Sequence, residues 1–248
     1  MLLGMITFMN LFDIDTPAVV IDFNIVRSNI RSFQSYCDSI GLKLRPHIKT
    51  HKIPMFARMQ IEEGAVGITC QKISEAESMI SSGGIDDVLI TYNILGETKL
   101  RRLLALSRKV RLSVVADNLQ CIQGLSNIFD NSGSILGVLV ECDTGAMRCG
   151  VVSPNEALDL AKAIKQLPGI KFDGLMTYPP ALAISKVNKF LLETKRLLEL
   201  NNISVTNVSV GGSPDMWNAH KFSVATEYRI GTYIYNDRSL VKRRICTE

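Results

Sequence analysis

The feature that most constrains the fold is the alternation, from residue 42 onward, of short apolar runs with segments of helical periodicity. Strands buried on both faces are nearly continuous runs of Val, Ile and Leu, and parallel strands are joined by helical crossovers. The alternation therefore predicts a parallel sheet. Eight strand-like runs follow one another: a run from Leu42 that carries Lys49 at its C-terminal end, then residues 66–70, 87–92, 110–116, 135–142, 172–178, 207–210 and 227–235.

Eight strands within 248 residues favour a closed (β/α)8 barrel of the TIM type over an open doubly wound sheet. About 250 residues are typical of such a barrel. No linker or low-complexity segment interrupts the chain, so we predict a single domain over residues 1–248, with a short additional strand at residues 16–22 (TPAVVID). Helical periodicity indicates helices at residues 24–41, 54–65, 74–82, 97–109, 118–129, 153–166 and 184–200.

Composition argues against several classes of protein. The chain is 46% hydrophobic and 21% charged, and its net charge of +4 is not concentrated in a block, so nucleic acid is not an expected partner. No window approaches the roughly eighteen apolar residues of a membrane span, and the apolar start lacks a basic leader and a cleavage site. Six scattered cysteines without CxxC or Cys/His spacing indicate reduced thiols, no metal site and a cytoplasmic protein.

Polar residues and glycines gather where the predicted strands end. In a (β/α)8 barrel the chemistry lies in the loops after the C-terminal ends of the strands, which a purely structural scaffold would not need to enrich. The sequence therefore predicts a site at this mouth. The residues concerned are His47, Lys49, Gln71, Tyr92, Asn93, Asp117, residues 143–148 (DTGAMR), residues 178–180 (YPP), residues 211–213 (GGS), Asn236 and Asp237.

Lys49 is the residue with the strongest chemical interpretation. It lies in LKLRPHIKTHK between His47 and His51, with Arg45 and Lys52 just outside. Neighbouring positive charge and partial burial lower a lysine pKa, and an amine of that kind can form a Schiff base with a carbonyl such as pyridoxal phosphate (PLP). The alternative is a basic strand-to-loop junction that binds an anion or is solvated. His47 shares strand parity with Lys49, so both should face the barrel interior, where His47 would act in acid–base catalysis or position the lysine.

Two glycine-containing segments suggest an anion site. The turn at residues 211–213 follows the seventh strand, where barrels often bind phosphate, although an ordinary tight turn would look the same. Gly231 and Thr232 are predicted inside the eighth strand, where a glycine often marks close backbone approach, here to the same phosphate. Arg229 lies just before them and is either part of this site or a structural ion-pair residue.

Arg148 and Tyr178 complete the set. Arg148, six residues beyond its strand, can hydrogen-bond a phenolate or carboxylate if it points inward, or it is a solvated loop residue. Tyr178 precedes two prolines and is rigidly placed, either to contact a ring and carry a proton or to pack at the barrel mouth.

Several motifs in order give the chain a family resemblance. Over residues 15–237 it resembles the D-threonine aldolase / D-serine dehydratase family, PLP enzymes with a barrel of the alanine racemase N-terminal type. The motifs are TPAVVID, LRPHIKTHK, VGITCQKISEAE, VECDTGAMRCGV, GLMTYPP, GGSPDMW and TEYRIGTYIYND. The resemblance implies that Lys49 carries the Schiff base, that Arg148 lies near the PLP phenolic oxygen, that Arg229 lies near the pyridine nitrogen, that Tyr178 lies near the ring, and that Gly211, Gly212, Ser213, Gly231 and Thr232 hold the phosphate.

The sequence departs from the family at its end. Family members continue into a second, mostly β domain that supplies ligands for a divalent metal and closes the site, often across a homodimer. This chain stops at residues 245–248 (ICTE), about where that domain would begin, so we expect neither the C-terminal domain nor its metal ligands.

The resemblance implies two kinds of function. The first is a PLP-dependent lyase that acts on a D-amino acid with a β-hydroxyl, by dehydration of D-serine or aldol cleavage of a D-threonine-like substrate. The second is a non-catalytic, single-domain PLP-binding or homeostasis protein, or an inactive truncated family member.

Overall fold

The computed structural model describes residues 10–247, so residues 1–9 of the apolar start and Glu248 lie outside it. Helices and parallel strands alternate along this part of the chain. The strands are β1 (Lys43–Leu44), β2 (Ile68–Cys70), β3 (Asp87–Ile90), β4 (Arg111–Ala116), β5 (Leu136–Cys142), β6 (Ile170–Thr177), β7 (Val208–Val210) and β8 (Glu227–Tyr228). The helices are α1 (Phe23–Ser39), α2 (Pro54–Glu62), α3 (Ile73–Ser81), α4 (Glu97–Ser107), α5 (Leu119–Phe129), α6 (Pro154–Gln166), α7 (Ile184–Leu200) and α8 (Arg238–Lys242).

The sheet curls into a closed ring. Its strand order is β1-β8-β7-β6-β5-β4-β3-β2, and every neighbouring pair is parallel. The ring closes between β1 and β2 through the N–H of Val66, which donates to Leu44 O at 2.9 Å, and the N–H of Thr69, which donates to Pro46 O at 2.7 Å. The predicted (β/α)8 barrel is confirmed. Within residues 10–247 no helix has both the length and the apolar character that crossing a bilayer requires.

The barrel interior is apolar in its middle layer, and the inward-facing positions beyond that layer line the mouth. A small apolar cluster of Leu89, Val115, Leu139 and Met176 fills the middle, one residue from each of four successive strands. The large core lies outside the ring, where the helices pack on the strands. Side chains alternate between these two environments because successive residues of a strand point to opposite faces. The next inward positions beyond the cluster therefore face the mouth of the barrel.

Local signals explain where helices begin. The Asp22 carboxylate caps α1 by accepting the N–H groups of Asn24 and Ile25. The start of α6 is capped too, since Ser153 Oγ accepts the N–H of Glu156 and the Glu156 carboxylate accepts the N–H of Val152. Each cap satisfies backbone donors that a helix start would otherwise leave unpaired.

Two strand predictions are wrong. Residues 16–22 form no strand, and Val19 and Val20 are 93% and 61% exposed, because the ring of eight strands is closed and offers no free edge for pairing. Strand β8 ends at Tyr228 rather than near residue 235. Its partner β7 ends at Val210, so the chain leaves the ladder after the N–H of Arg229 donates to Val210 O, and it then forms a short 3-10 turn at Thr232–Ile234.

Candidate active site

A cavity of about 280 Å³ opens at the C-terminal mouth of the barrel. It is lined by all ten residues to which sequence reasoning gave a catalytic or cofactor-binding role, although they are far apart in the sequence. Of the other residues predicted at the mouth, Asn93, Asp117 and Asn236 do not line it. The fold thus brings these ten residues together around one cavity, while their individual roles stay predictions. They are His47, Lys49, Arg148, Tyr178, Gly211, Gly212, Ser213, Arg229, Gly231 and Thr232.

Lys49 lies in a turn rather than on a strand. His47 makes the last bridge to Thr69 of β2, and residues Ile48–Thr50 then form one turn of 3-10 helix. His47 Nδ1 accepts the backbone N–H of Lys49 at 3.3 Å and so caps this turn. The argument from strand parity therefore holds for His47 but not for Lys49, which reaches the cavity from the turn with its side chain accessible to solvent.

The pKa of Lys49 is lowered, as the sequence predicted, but by different neighbours. Partial burial has the largest effect, followed by the charges of Arg148 and Arg229, while Glu75 acts in the opposite direction. The two basic residues expected to act on Lys49 are engaged elsewhere. Arg45 forms buried ion pairs with Asp87 and Glu227, and Lys52 pairs with Glu75 at 3.2 Å. Their expected effect on Lys49 is therefore wrong. The lowered pKa makes the free amine more available as a nucleophile near neutral pH.

The two histidines have separate environments. His47 is buried at the cavity wall, and burial, Lys49 and Arg229 hold its pKa well below the usual range, so the ring is neutral. Its Nε2 has no hydrogen-bond partner among residues 10–247. His51 lies outside the cavity lining. Its Nδ1 accepts the N–H of Ile53, and its ring packs edge-on against Phe56.

The glycine turn, which we define as Gly211, Gly212 and Ser213, follows β7 directly. A Cβ on Gly211 would lie 1.9 Å from the carbonyl oxygen of Arg229, so only glycine fits there. Within the described chain, no protein acceptor is hydrogen-bonded to the N–H groups of Gly212 and Ser213. Unpaired backbone donors around a concave turn are suited to binding an anion.

Gly231 serves a different contact from the one expected. It lies outside β8, and a Cβ there would come within 2.8 Å of Thr50 Oγ1 and 3.0 Å of His47 O. The close backbone approach is therefore to the turn that carries Lys49. The prediction that Gly231 lies within a strand is wrong, because β8 is shorter than the apolar run suggested.

Arg229 is anchored by hydrogen bonds and forms no direct ion pair with a described residue. Its Nε donates to Ser209 Oγ at 2.8 Å, and its Nη2 donates to Thr177 O at 2.5 Å. Ser209 in turn donates to Glu227 at 2.6 Å, and Glu227 accepts from Arg45 at 2.6 Å. This buried line of polar groups fixes the guanidinium at the cavity floor.

Arg148 and Tyr178 form one wall of the mouth. The Arg148 guanidinium lies over the Tyr178 ring, 4.7 Å from its centroid, which is a cation–π arrangement. Arg148 is exposed and Tyr178 is 38% exposed, so both can contact a molecule that enters the cavity. The Asp143 carboxylate organises the loop that carries Arg148 by accepting the N–H groups of Gly145 and Met147.

Sequence reasoning missed several residues that line the cavity: Glu141, Cys149, Ser239 and Arg243. Glu141 had a signal, since it is the ionisable residue of the apolar run LGVLVEC. Arg243 belongs to the basic segment at residues 241–244 (VKRR), to which sequence reasoning gave no role in the site. It is exposed, but it reaches the cavity because Asp237 caps α8 and folds this segment over the mouth. The segment after the glycine turn packs against α1, because the Trp217 ring meets the Phe33 ring edge-on and its Nε1 donates to Ile245 O.

The described residues include no group of three His, Cys, Asp or Glu side chains that could hold a metal ion. The polar groups of the cavity are instead arginine, lysine, histidine and backbone donors. This set suits a phosphorylated aldehyde, because an unpartnered His47 Nε2, an accessible amine and the glycine turn face the same space.

Comparison with known proteins places these features in context. Residues 21–239 match the family model described as alanine racemase, N-terminal domain. D-threonine aldolase of Arthrobacter sp is 33% identical over 235 residues, which are 90% of this chain and 62% of that protein. The 3-hydroxy-D-aspartate aldolase of Paracoccus denitrificans (strain Pd 1222) is 31% identical over 91% of this chain and 61% of its own length. The crystal structure of D-threonine aldolase from Filomicrobium marinum superimposes with a TM-score of 0.90 at 31% identity, covering 94% of this chain and 66% of that one.

Two further relatives have names that describe other functions, a dehydratase and a homeostasis protein. A D-serine dehydratase of Schizosaccharomyces pombe is 27% identical over 61% of this chain. A pyridoxal phosphate homeostasis protein of Aquifex aeolicus is 26% identical over 62% of this chain and 70% of its own length. By contrast, the chain spans less than two thirds of the length of the D-threonine aldolases and of the 3-hydroxy-D-aspartate aldolase described above.

Proposed function

Because the chain belongs to the alanine racemase N-terminal domain family, we propose that it is the PLP-binding barrel of a lyase that acts on D-amino acids with a β-hydroxyl. The substrates in the names of its relatives, D-threonine, 3-hydroxy-D-aspartate and D-serine, share that hydroxyl. The reaction would be aldol cleavage between Cα and Cβ or loss of water. When bound, PLP supplies an electron sink for the bond that is broken at Cα.

One observation carries the proposal: an accessible lysine with a lowered pKa shares a cavity of about 280 Å³ with the glycine turn and two arginines. Lys49 would attach the cofactor through its Nζ. The glycine turn, with Gly231 and Thr232, would hold the phosphate through backbone N–H groups. The cavity would exclude bulk water from the reacting atoms and orient the bond to be broken.

The remaining side chains have roles that follow from their positions. Arg229, fixed by Ser209 and Thr177, is suited to the ring nitrogen of the cofactor, and Arg148 to its phenolic oxygen. His47 Nε2 and the Tyr178 hydroxyl are the groups best placed to hold or move a proton, because both lie at the cavity and His47 is neutral.

Reduction with borohydride tests the attachment. PLP-treated protein should gain one phosphopyridoxyl group on Lys49, located by peptide mass spectrometry. Lys49→Gln should abolish the adduct, and the matched control Lys52→Gln should retain it, because Lys52 is paired with Glu75 outside the cavity lining. An adduct on another lysine, or none, would refute the proposal.

A non-catalytic PLP-binding protein is the second candidate. It is favoured by the homeostasis protein, of which this chain covers 70%, a larger share than it covers of the aldolases. The PLP-loaded chain should be incubated with D-threonine, D-serine and 3-hydroxy-D-aspartate, with and without a divalent metal ion. Formation of glycine and an aldehyde, or of a 2-oxo acid, supports the lyase. Cofactor binding without turnover supports the second candidate or an inactive relative.

A further inference from the structure

Glu141 is a buried acid at the cavity whose hydrogen bonding is incomplete. It lies near the end of β5, its side chain lines the cavity, and the residue is only 5% exposed. One carboxyl oxygen, Oε1, accepts the Cys149 S–H with an Sγ–O distance of 3.3 Å. The other, Oε2, is buried and has no partner among residues 10–247.

No residue within 10–247 donates a hydrogen bond to this oxygen. The side chain of Arg229 donates to Ser209 and Thr177 instead, and Arg148 lies over Tyr178. Burial raises the pKa of Glu141, while Cys149 and the two arginines act to lower it. A buried polar atom without a partner destabilises a fold, and a leucine of similar size would avoid that penalty. The position of Glu141 therefore makes sense if a bound molecule provides the missing partner.

We propose that Glu141 is a ligand-binding residue, whose Oε2 hydrogen-bonds to the molecule held between Lys49 and the glycine turn, with Cys149 orienting the carboxyl group. This inference rests on the proposed function, because it takes that molecule to be the cofactor or the cofactor with its amino acid substrate. The partner atom on the ligand is a nitrogen or oxygen that accepts a hydrogen bond from the carboxylic acid or donates one to the carboxylate.

The test separates ligand binding from a structural role. Glu141→Leu and Glu141→Gln are compared with wild type for thermal unfolding without ligand, and for binding of PLP, and of D-threonine to the PLP-loaded protein, by absorbance titration. Glu75→Leu is the matched control, because Glu75 is also buried but its carboxylate is satisfied by the N–H of Gln71 at 2.8 Å and by Lys52. It should melt at a lower temperature than wild type.

We expect Glu141→Leu without ligand to melt at the wild-type temperature or above it. Its dissociation constant for PLP or for D-threonine should rise about five- to hundredfold, the effect of losing one hydrogen bond to a buried group. Glu141→Gln, which keeps a donor and an acceptor, should recover most of the affinity. A Glu141→Leu protein that melts lower and binds both molecules normally would overturn the inference and leave the proposed function intact. Failure of the wild type to take up PLP would overturn both.

Discussion

Replacing Ser209 by alanine tests the buried line of polar groups that fixes Arg229. The Ser209 hydroxyl donates to Glu227 Oε1 at 2.6 Å and accepts from Arg229 Nε at 2.8 Å. All three residues are almost completely buried, so solvent cannot replace the lost bonds freely. Leaving a buried group unsatisfied costs about 1–3 kcal/mol, and two groups lose a partner here. We therefore expect Ser209→Ala to lower the free energy of unfolding by about 3 kcal/mol, which lies within the range obtained by adding the costs of the two unsatisfied groups.

Urea unfolding measures this loss directly. With a urea m-value of about 3 kcal/mol per molar, the midpoint should fall by about 1 M. Ser74→Ala on the exposed face of α3 is the control and should leave the midpoint nearly unchanged. Affinity for PLP should also fall in Ser209→Ala, because Arg229 loses the bond that holds its Nε. A midpoint within about 0.3 M of the wild-type value would refute the idea that Ser209 links two buried charges.

Three further substitutions test other parts of the site and its surroundings. Arg148→Ala should raise the pKa of Lys49, because a neighbouring cation is lost. The pH midpoint of Lys49 labelling by an amine reagent should therefore move upward. An unchanged midpoint would show that Arg148 has no electrostatic effect on the amine. Gly231→Ala should weaken PLP uptake, because the added Cβ would push on the turn that carries Lys49. The control Gly124→Ala in α5, where the nearest contact of a Cβ is at 3.5 Å, should stabilise the fold by about 0.5–1 kcal/mol. Equal PLP uptake by both variants would contradict the close contact between Gly231 and this turn. Burial lowers the pKa of His51 from 6.5 to about 4, so the unfolded chain binds a proton that the folded chain does not, and stability should fall as pH falls through that range. His51 contributes about 2 kcal/mol to the loss between pH 7 and pH 5. In urea titrations His51→Gln should remove that share, while the share of His47, whose pKa is also lowered, remains.

The sequence was sufficient to predict the barrel because its signals are local. Each buried strand and each amphipathic helix is encoded by a few consecutive residues, and the order of these elements determines the parallel topology. The same reasoning located the mouth, since the ends of parallel strands meet at one edge of the sheet. It failed at residues 16–22, where TPAVVID has a strand-like composition but the closed ring provides no partner.

Contacts between distant residues were beyond such reasoning. The charges that act on Lys49 come from Arg148 and Arg229, whereas its neighbours in sequence pair elsewhere. Glu141 was visible as a charge in an apolar run, but only the fold shows that its side chain lines the cavity and that Oε2 lacks a partner. Alternation predicts which face a residue occupies, and it cannot predict which side chains meet across the barrel.

The seam between β1 and β2, which closes the barrel, has a consequence for how the protein unfolds. Strand β1 has two residues, and its contact with β2 rests on the backbone bonds from Val66 and Thr69 and on the bridge at His47. Lys49 lies two residues beyond that bridge, so the seam of the ring lies next to the proposed site of cofactor attachment. Opening at this seam would leave all eight strands paired in an open sheet, because β1 would still be bonded to β8. It would separate the turn that carries Lys49 from β2 and so change the shape of the cavity. We therefore expect gradual denaturation to disturb the surroundings of Lys49 before it unfolds the barrel.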